Sequence, residues 1–212
     1  MNRGHPTIVR YLDELTERHP VLSESRAGLY SAFYVIASAL ERDNTLFVCG
    51  NGGSAADAEH IAGELLKSFL TVRPVTDDQR AHLEKLCPQE EADYLADHLE
   101  RGLRVISLAG HPSLTTAVAN DTGGGLNFAQ QVFALGRSGD VLLGISTSGN
   151  ASNVTLAVNA AHLLGMKAVG LTGQTGGRLA AQADVCIKVP ETRTPNVQEY
   201  HVCVYHTLCA ML

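Results

Sequence analysis

A four-residue apolar run, Leu46 to Cys49, passes directly into Gly50-Asn51-Gly52-Gly53-Ser54 and then into residues of helical composition. Few chains can do this outside one local arrangement. The apolar run is the right length for a buried strand. The glycines accept φ > 0 and let backbone approach a ligand closely, and Ser54 is a good helix N-cap. Strand, glycine turn and helix together aim several free N–H groups at one point, where an anion can sit. The spacing is neither GxxxxGK[ST] nor GxGxxG, so a nucleotide-binding reading has no support. Within the helix that follows, His60 and Glu64 stand at i and i+4 and share a face. On an arbitrary helix this is a solvated polar pair. About two turns from an anion cradle it is a candidate for chemistry.

The rest of the chain repeats the alternation. Two helical patterns come first, with Ile8, Tyr11, Leu12 and Leu15 in one and Leu29, Phe33, Ile36 and Leu40 in the other. Residues 1–42 therefore read as an N-terminal helical hairpin. Residues 75–102 are charged and sparsely apolar, broken at Cys87-Pro88, and read as a surface insertion of one or two helices. Further strands are expected at Arg104–Ala109, Val141–Ile145, Lys167–Thr172 and Val185–Val189, with helices between them and a closing helix from Asn196 to Leu212. Ser113 is expected to cap a helix, and Asn120–Gly125 to form a loop. Strands alternating with helices give a parallel sheet with helices on both faces, and such sheets bind ligands at the carboxyl ends of their strands. The expectation is one α/β domain over residues 1–212.

A second cradle, Ser146-Thr147-Ser148-Gly149-Asn150, lies at another strand-to-helix junction. Hydroxyls without Lys or Arg suit a phosphate monoester held by hydrogen bonds and a helix N-terminus. Composition adds the excluded classes. With 16 basic against 22 acidic residues and a net charge of −6, a general nucleic-acid or membrane surface is not expected. Met1 to Pro6 lacks the apolar segment of a signal peptide. The five cysteines (49, 87, 186, 203, 209) include no CxxC; they read as reduced core fillers in a cytoplasmic protein.

Three motifs in order now carry a resemblance. Cys49-Gly-Asn-Gly-Gly-Ser-Ala-x-x-Ala-x-His60-x-x-x-Glu64, then Ser146-Thr-Ser-Gly-Asn150, then Gln198-Glu-x-His201-x-x-x-x-His206 resemble the sugar isomerase (SIS) domain family, in its phosphoheptose isomerase branch. The resemblance covers nearly the whole chain apart from residues 75–102. It implies a three-layer, flavodoxin-like fold with a five-stranded parallel sheet, and a homotetramer with active sites at subunit interfaces. It implies Asn51, Gly52, Gly53 and Ser54 as a substrate loop and Ser146, Thr147 and Ser148 as a phosphate loop. Glu64 matches the catalytic base and His206 the catalytic acid, with Gln198 also facing substrate. His60, Glu64, Gln198 and His206 match zinc ligands, one ion per subunit. The substrate implied is a phosphorylated sugar, sedoheptulose 7-phosphate in this branch. Three positions depart from the family pattern: Ala151 replaces a serine, His111 an aspartate, and Ser68 the arginine of Gly-Arg-Phe.

Gln198 and His206 differ by ~12 Å of rise and about 80° of direction on one helix, whereas zinc bonds to N or O are only ~2 Å long. If both bind one ion, they come most simply from two copies of the chain. Some members of the family are non-catalytic scaffolds that bind a replication initiator protein. By resemblance those lack the carboxylate and the terminal histidine, both present here. A sugar-phosphate sensor is the third reading, and it would keep the loops without needing Glu64.

Overall fold

The computed structural model describes residues 6–212; Met1 to His5, the start of the expected hairpin, lie outside the described residues. The sheet has five strands: β1 (Leu46–Cys49), β2 (Val105–Ser107), β3 (Val141–Ser146), β4 (Lys167–Thr172) and β5 (Val185–Lys188). All pairings are parallel, in the order β2-β1-β3-β4-β5. The side-chain period of two divides the strands between two cores. Leu46, Val48, Val141, Leu143, Ile145, Val169 and Leu171 face one. Phe47, Cys49, Leu142 and Ala168 face the other. Both faces are therefore covered, which is why these strands read as continuous apolar runs.

The first layer holds α1 (Pro6–Arg18), α2 (Arg26–Leu40), α3 (Gly53–Leu66) and α10 (Thr194–Met211). A 3₁₀ segment, Pro20–Ser25, joins the first two, and α1 packs mainly on α10 while α2 packs on β5. The opposite layer holds α7 (Asn127–Leu135), α8 (Ser152–Leu163) and α9 (Gly177–Gln182). Between β2 and α7 runs α6 (Pro112–Val118).

Residues 75–102 form a helical pair, α4 (Asp77–Leu86) and α5 (Gln89–His98), packed on each other. The first starts with a capping box of Thr76 and Gln79 and buries no residue; the second buries only Ala92 and Ala96. A bridge between Pro74 and Glu100, with Arg101 N donating to Arg73 O at 2.7 Å, closes the pair at its base. The Arg73 guanidinium donates to the carbonyls of Leu65 and Lys67, stapling this base to the last turn of α3.

Three local expectations are corrected. Ser54 does not cap α3: Gly52, at φ 56°, holds the N-cap position two residues earlier, and Ser54 is buried in the first turn. The turn needs a positive φ there, and that requirement outweighs the serine's capping preference. Ser113 does not cap α6 either, because Pro112 opens that helix behind His111. Asn120–Gly125, expected as loop, lie in two short helical turns, Ala119–Gly123 and Gly124–Leu126.

Candidate active site

Both cradles stand at the carboxyl ends of adjacent strands, β1 and β3. Neither helix that leaves them is capped by a side chain. In the first, Ser54 N and Ala55 N already donate to the carbonyls of Asn51 and Gly52 at 3.0 Å, so the free first-turn N–H groups expected of both cradles remain for a ligand mainly at the second, on α8. In the second cradle, Gly149 at φ 67° packs against the Gly176 carbonyl, and its own N–H bonds Ser146 O at 3.0 Å. Asn150 ties the loop down from the far side, accepting from Arg178 N and donating to Ser148 O. Ser148 is exposed, Thr147 half-buried and Ser146 buried at the strand end. Ala151 occupies the N-cap position of α8, so the hydroxyl that a serine would offer there is missing.

An amide pair locks the two cradles together. Asn51 and Asn153 exchange hydrogen bonds of 2.8 Å in both directions, and Asn153 also donates to Asn127. Asn153 and Asn127 were not foreseen from the sequence. The only available signal was an amide at the second position of α8 and another at the start of α7, which local pattern does not distinguish from surface residues.

The second assembly is on the outer flank of α3 and α10. His60 Nε2 lies 3.0 Å from Glu64 Oε1, and His206 Nε2 lies 3.5 Å from His60 Nε2. Each of the three residues offers a ligand atom within 4.8 Å of the others. Two ~2 Å bonds span at most ~4 Å across an ion, so small side-chain adjustments bring all three onto one cation. The donor set fits zinc in kind: two imidazoles and a carboxylate. Burial, and then the neighbouring His60, lower the pKa of His206, with Glu64 opposing. Its imidazole is thereby favoured in the neutral form, with a lone pair to offer. Phe69 stacks on the His206 ring, with centroids 5.8 Å apart. Beside it opens a cavity of about 410 Å³ lined in part by Tyr11, Arg18, Phe69 and Thr207, within the size range of small-ligand sites.

Behind His60 stand two residues that the sequence reading missed. His60 Nδ1 lies 2.9 Å from the Tyr205 hydroxyl, and Asp57, three residues before His60 on α3, is buried with no hydrogen-bond partner at Oδ2. Burial raises the pKa of Asp57, and the nearby Tyr205 hydroxyl and the charge of His60 oppose it. Burial, then Asp57, raises that of Tyr205.

Gln198 is not with this group in the same chain. Its amide packs on Gly53, close enough that any Cβ at Gly53 would collide with it. Gly53 and Glu64 are separated by ~16 Å of helix rise. Of the four residues matched to zinc ligands, one chain thus brings together His60, Glu64 and His206, and keeps Gln198 at the cradle end of α3. His111, in place of the family aspartate, is exposed at the end of β2.

SIS domain models match residues 10–101 and residues 105–211. A phosphoheptose isomerase of Nitratiruptor sp. is 38% identical over 192 residues, covering 91% of this chain and 88% of that protein. The solved phosphoheptose isomerase of Neisseria gonorrhoeae superposes with a TM-score of 0.70 at 35% identity, over 95% of this chain and 90% of its own. That of Francisella tularensis gives 0.69 at 31% identity, over 97% and 91%. With its parallel sheet, its three motifs and these matches over nearly its full length, the chain belongs to the SIS domain family, on the branch that holds the phosphoheptose isomerases.

Proposed function

We propose that this protein is an aldose–ketose isomerase of phosphorylated sugars, interconverting sedoheptulose 7-phosphate and D-glycero-D-manno-heptose 7-phosphate. The observation that carries the chemistry is the convergence of His60, Glu64 and His206. The reaction moves a proton between C1 and C2 of the sugar through an enediol. It needs a base over the carbon and a proton donor at the oxygens. Glu64 is the base: its carboxylate is partly exposed and held by His60. His206 delivers the proton to oxygen. The phosphate rests on Ser146, Thr147, Ser148 and the N-terminus of α8. Asn51, Gly52, Gly53 and Ser54 line the sugar. A zinc ion held by His60, Glu64 and His206 would supply a Lewis acid at the sugar's oxygens; a zinc-bound carboxylate is a weaker base, so Glu64 would come off the ion to take the proton.

The same geometry supports a site shared between copies. The cradles and Gln198 lie at one end of α3 and the catalytic cluster near the other. A cluster from one copy facing the cradles and Gln198 of another makes a complete site, in keeping with a homotetramer. Leu66, Leu70, Val72 and Phe133 are large apolar side chains left exposed on a single chain, as subunit contacts would require. The presence of both the carboxylate and the histidine disfavours the scaffold reading. All five cysteines are free, and among the described residues no helix is long and apolar enough to cross a membrane; the cytoplasm is the proposed compartment.

The test is incubation in D₂O with sedoheptulose 7-phosphate, fructose 6-phosphate and arabinose 5-phosphate, with and without zinc, followed by proton NMR. Conversion of the seven-carbon substrate, with solvent deuterium at C2 of the product aldose, is expected. Failure to convert any of the three in the presence of zinc refutes the proposal.

A further inference from the structure

We propose that Glu100, at the foot of the α4–α5 pair, is a positioning residue for the reaction: it closes residues 68–73 into a knot that holds Phe69 against the His206 ring. The inference rests on the reading of His206 as the proton donor, and its test separates the two.

After Leu66 the chain leaves α3 and runs through residues 67–76 before α4 begins. A connection of this kind is ordinarily mobile, and its backbone groups need partners. Ser68 supplies the central ones. Its N–H donates to Glu100 Oε2 at 2.6 Å, and its hydroxyl accepts from Arg73 N at 2.9 Å. The Arg73 guanidinium reaches back to Lys67 O at 2.9 Å, while Arg73 O accepts from Arg101 N at 2.7 Å. Arg101 Nε then closes on Pro74 O at 2.8 Å. The α4–α5 pair is what returns the chain to this point, since 32 residues separate Ser68 from Glu100. Serine at 68 suits the knot where the arginine of the family pattern would not, because a guanidinium has no acceptor to offer Arg73 N. The Ser68 N–H, first among its neighbours, holds the Glu100 carboxyl below its ordinary pKa, so it is charged at neutral pH. A carboxylate accepting from a backbone N–H is one of the stronger hydrogen bonds.

What the knot encloses is Phe69. Its ring is half-buried and stacks on His206 with the planes 30° apart. His60 meets the same His206 ring edge-on, with centroids 4.9 Å apart. The His206 imidazole is thus held between two neighbours. Packing alone does not fix Phe69. It lines both the cavity beside His206 and a second one of about 240 Å³, which it shares with Thr71 and Arg73, so the ring has room to swing. The next apolar side chains along, Leu70 and Val72, are exposed and give no anchor within a single chain. The fixed points are Ser68 on one side and Arg73 on the other, and Glu100 secures the first. A reacting group misplaced by ~1 Å can cost ~10²-fold in rate. Glu100 therefore serves the proton donor through Phe69, without touching substrate, and this is the task the geometry gives the base of the helical pair.

The experiment uses the full-length protein and two readouts. In metal-free protein protonated only at Phe and His, nuclear Overhauser contacts between the Phe69 and His206 rings are expected in wild type. They are expected to vanish in Glu100→Ala, with a cooperative thermal transition retained. In steady-state turnover of sedoheptulose 7-phosphate with zinc, Glu100→Ala and Phe69→Leu should each lower kcat roughly 10-fold, with a smaller change in KM. Because one acts through the other, the double variant should fall no more than about threefold below the slower single variant. Independent effects would multiply to about 100-fold and overturn the proposal. So would a Glu100→Ala protein that keeps the ring contacts or the wild-type kcat, or a wild type that shows no such contacts. If wild type converts no sugar phosphate, the isomerase reading falls, and the ring contacts alone decide the knot.

Discussion

His201 offers a test of the α10 core that can be worked to a number. It lies wholly buried, and neither ring nitrogen makes a hydrogen bond. Burial drives its pKa from 6.5 to about 4, the nearby Thr172 backbone offsetting only part of the effect. Above pH 6.5 both folded and unfolded chains hold it neutral, and it exerts no pH-dependent penalty. Between 6.5 and about 4 the unfolded chain binds a proton that the folded chain refuses, so stability falls as pH falls; below about 4 both are charged and the loss is complete. At ~1.36 kcal/mol per pKa unit the full loss is about 3 kcal/mol, a large part of the ~5–15 kcal/mol that holds a typical domain. Asp184 and Glu191, both held at about 2 by hydrogen bonds, destabilise mainly at lower pH, where unfolded carboxylates begin to protonate. His206, also lowered, acts in the same window and direction, so the comparison must be with a variant. Urea unfolding of wild type and of His201→Leu, at one protein concentration from about pH 7.5 to about pH 4.5, isolates the term. Wild type should lose roughly 2–3 kcal/mol more than the variant across that range. Parallel losses would mean that His201 charges freely in the fold, and the burial argument would be refuted.

Four further outcomes are expected. Glu64→Gln should lower turnover by ~10²-fold or more with a smaller change in substrate binding; near-normal turnover would remove Glu64 as the base. Ser148→Ala should raise KM by ~1–3 kcal/mol of lost binding to a charged group, and unphosphorylated sedoheptulose should be a poor substrate; equal turnover of sugar and sugar phosphate would reject the phosphate loop. Replacing residues 75–102 with a short glycine linker should leave folded protein with altered KM, because α4 buries nothing and its base adjoins the end of α3; insoluble product would show the pair to be core or interface. After mild dissociation and mixing, Glu64→Gln with Gln198→Ala should recover activity, since one carries an intact Gln198 and the other an intact cluster. Glu64→Gln with His206→Ala should not, because those two residues meet within one chain, and the reverse pattern would refute the shared-site geometry.

The sheet was legible because its information is local. Leu46–Cys49 and Lys167–Thr172 occur where the apolar runs place them, since a strand buried on both faces needs nothing beyond apolar side chains. Helix starts were less legible where turn chemistry competed with capping, as at Gly52 and Ser54. His60 and Glu64 were visible as an i, i+4 pair. His206 entered only through the family resemblance, and Asp57, Tyr205 and Asn153 not at all. Their partners lie far away in sequence: Tyr205 meets His60 across 145 residues and Asn153 meets Asn51 across 102. No local periodicity encodes such a pairing.

The site nonetheless depends on the same apolar pattern that makes the fold. Along α10, Val197, His201, Val204, Tyr205 and Leu208 form the buried stripe, while Gln198 and His206 flank it. Docking that stripe on the sheet and α3 fixes the helix's rotation, and the rotation decides what the flanking residues reach. With the stripe seated, Gln198 lands on Gly53 and His206 on His60. A turn of one residue, about 100°, would carry His206 away from the cluster and Tyr205 out of the core. The hydrophobic packing of α10 therefore sets the register of the His60–Glu64–His206 cluster. Tyr205 belongs to both, filling the core with its ring and reaching His60 with its hydroxyl.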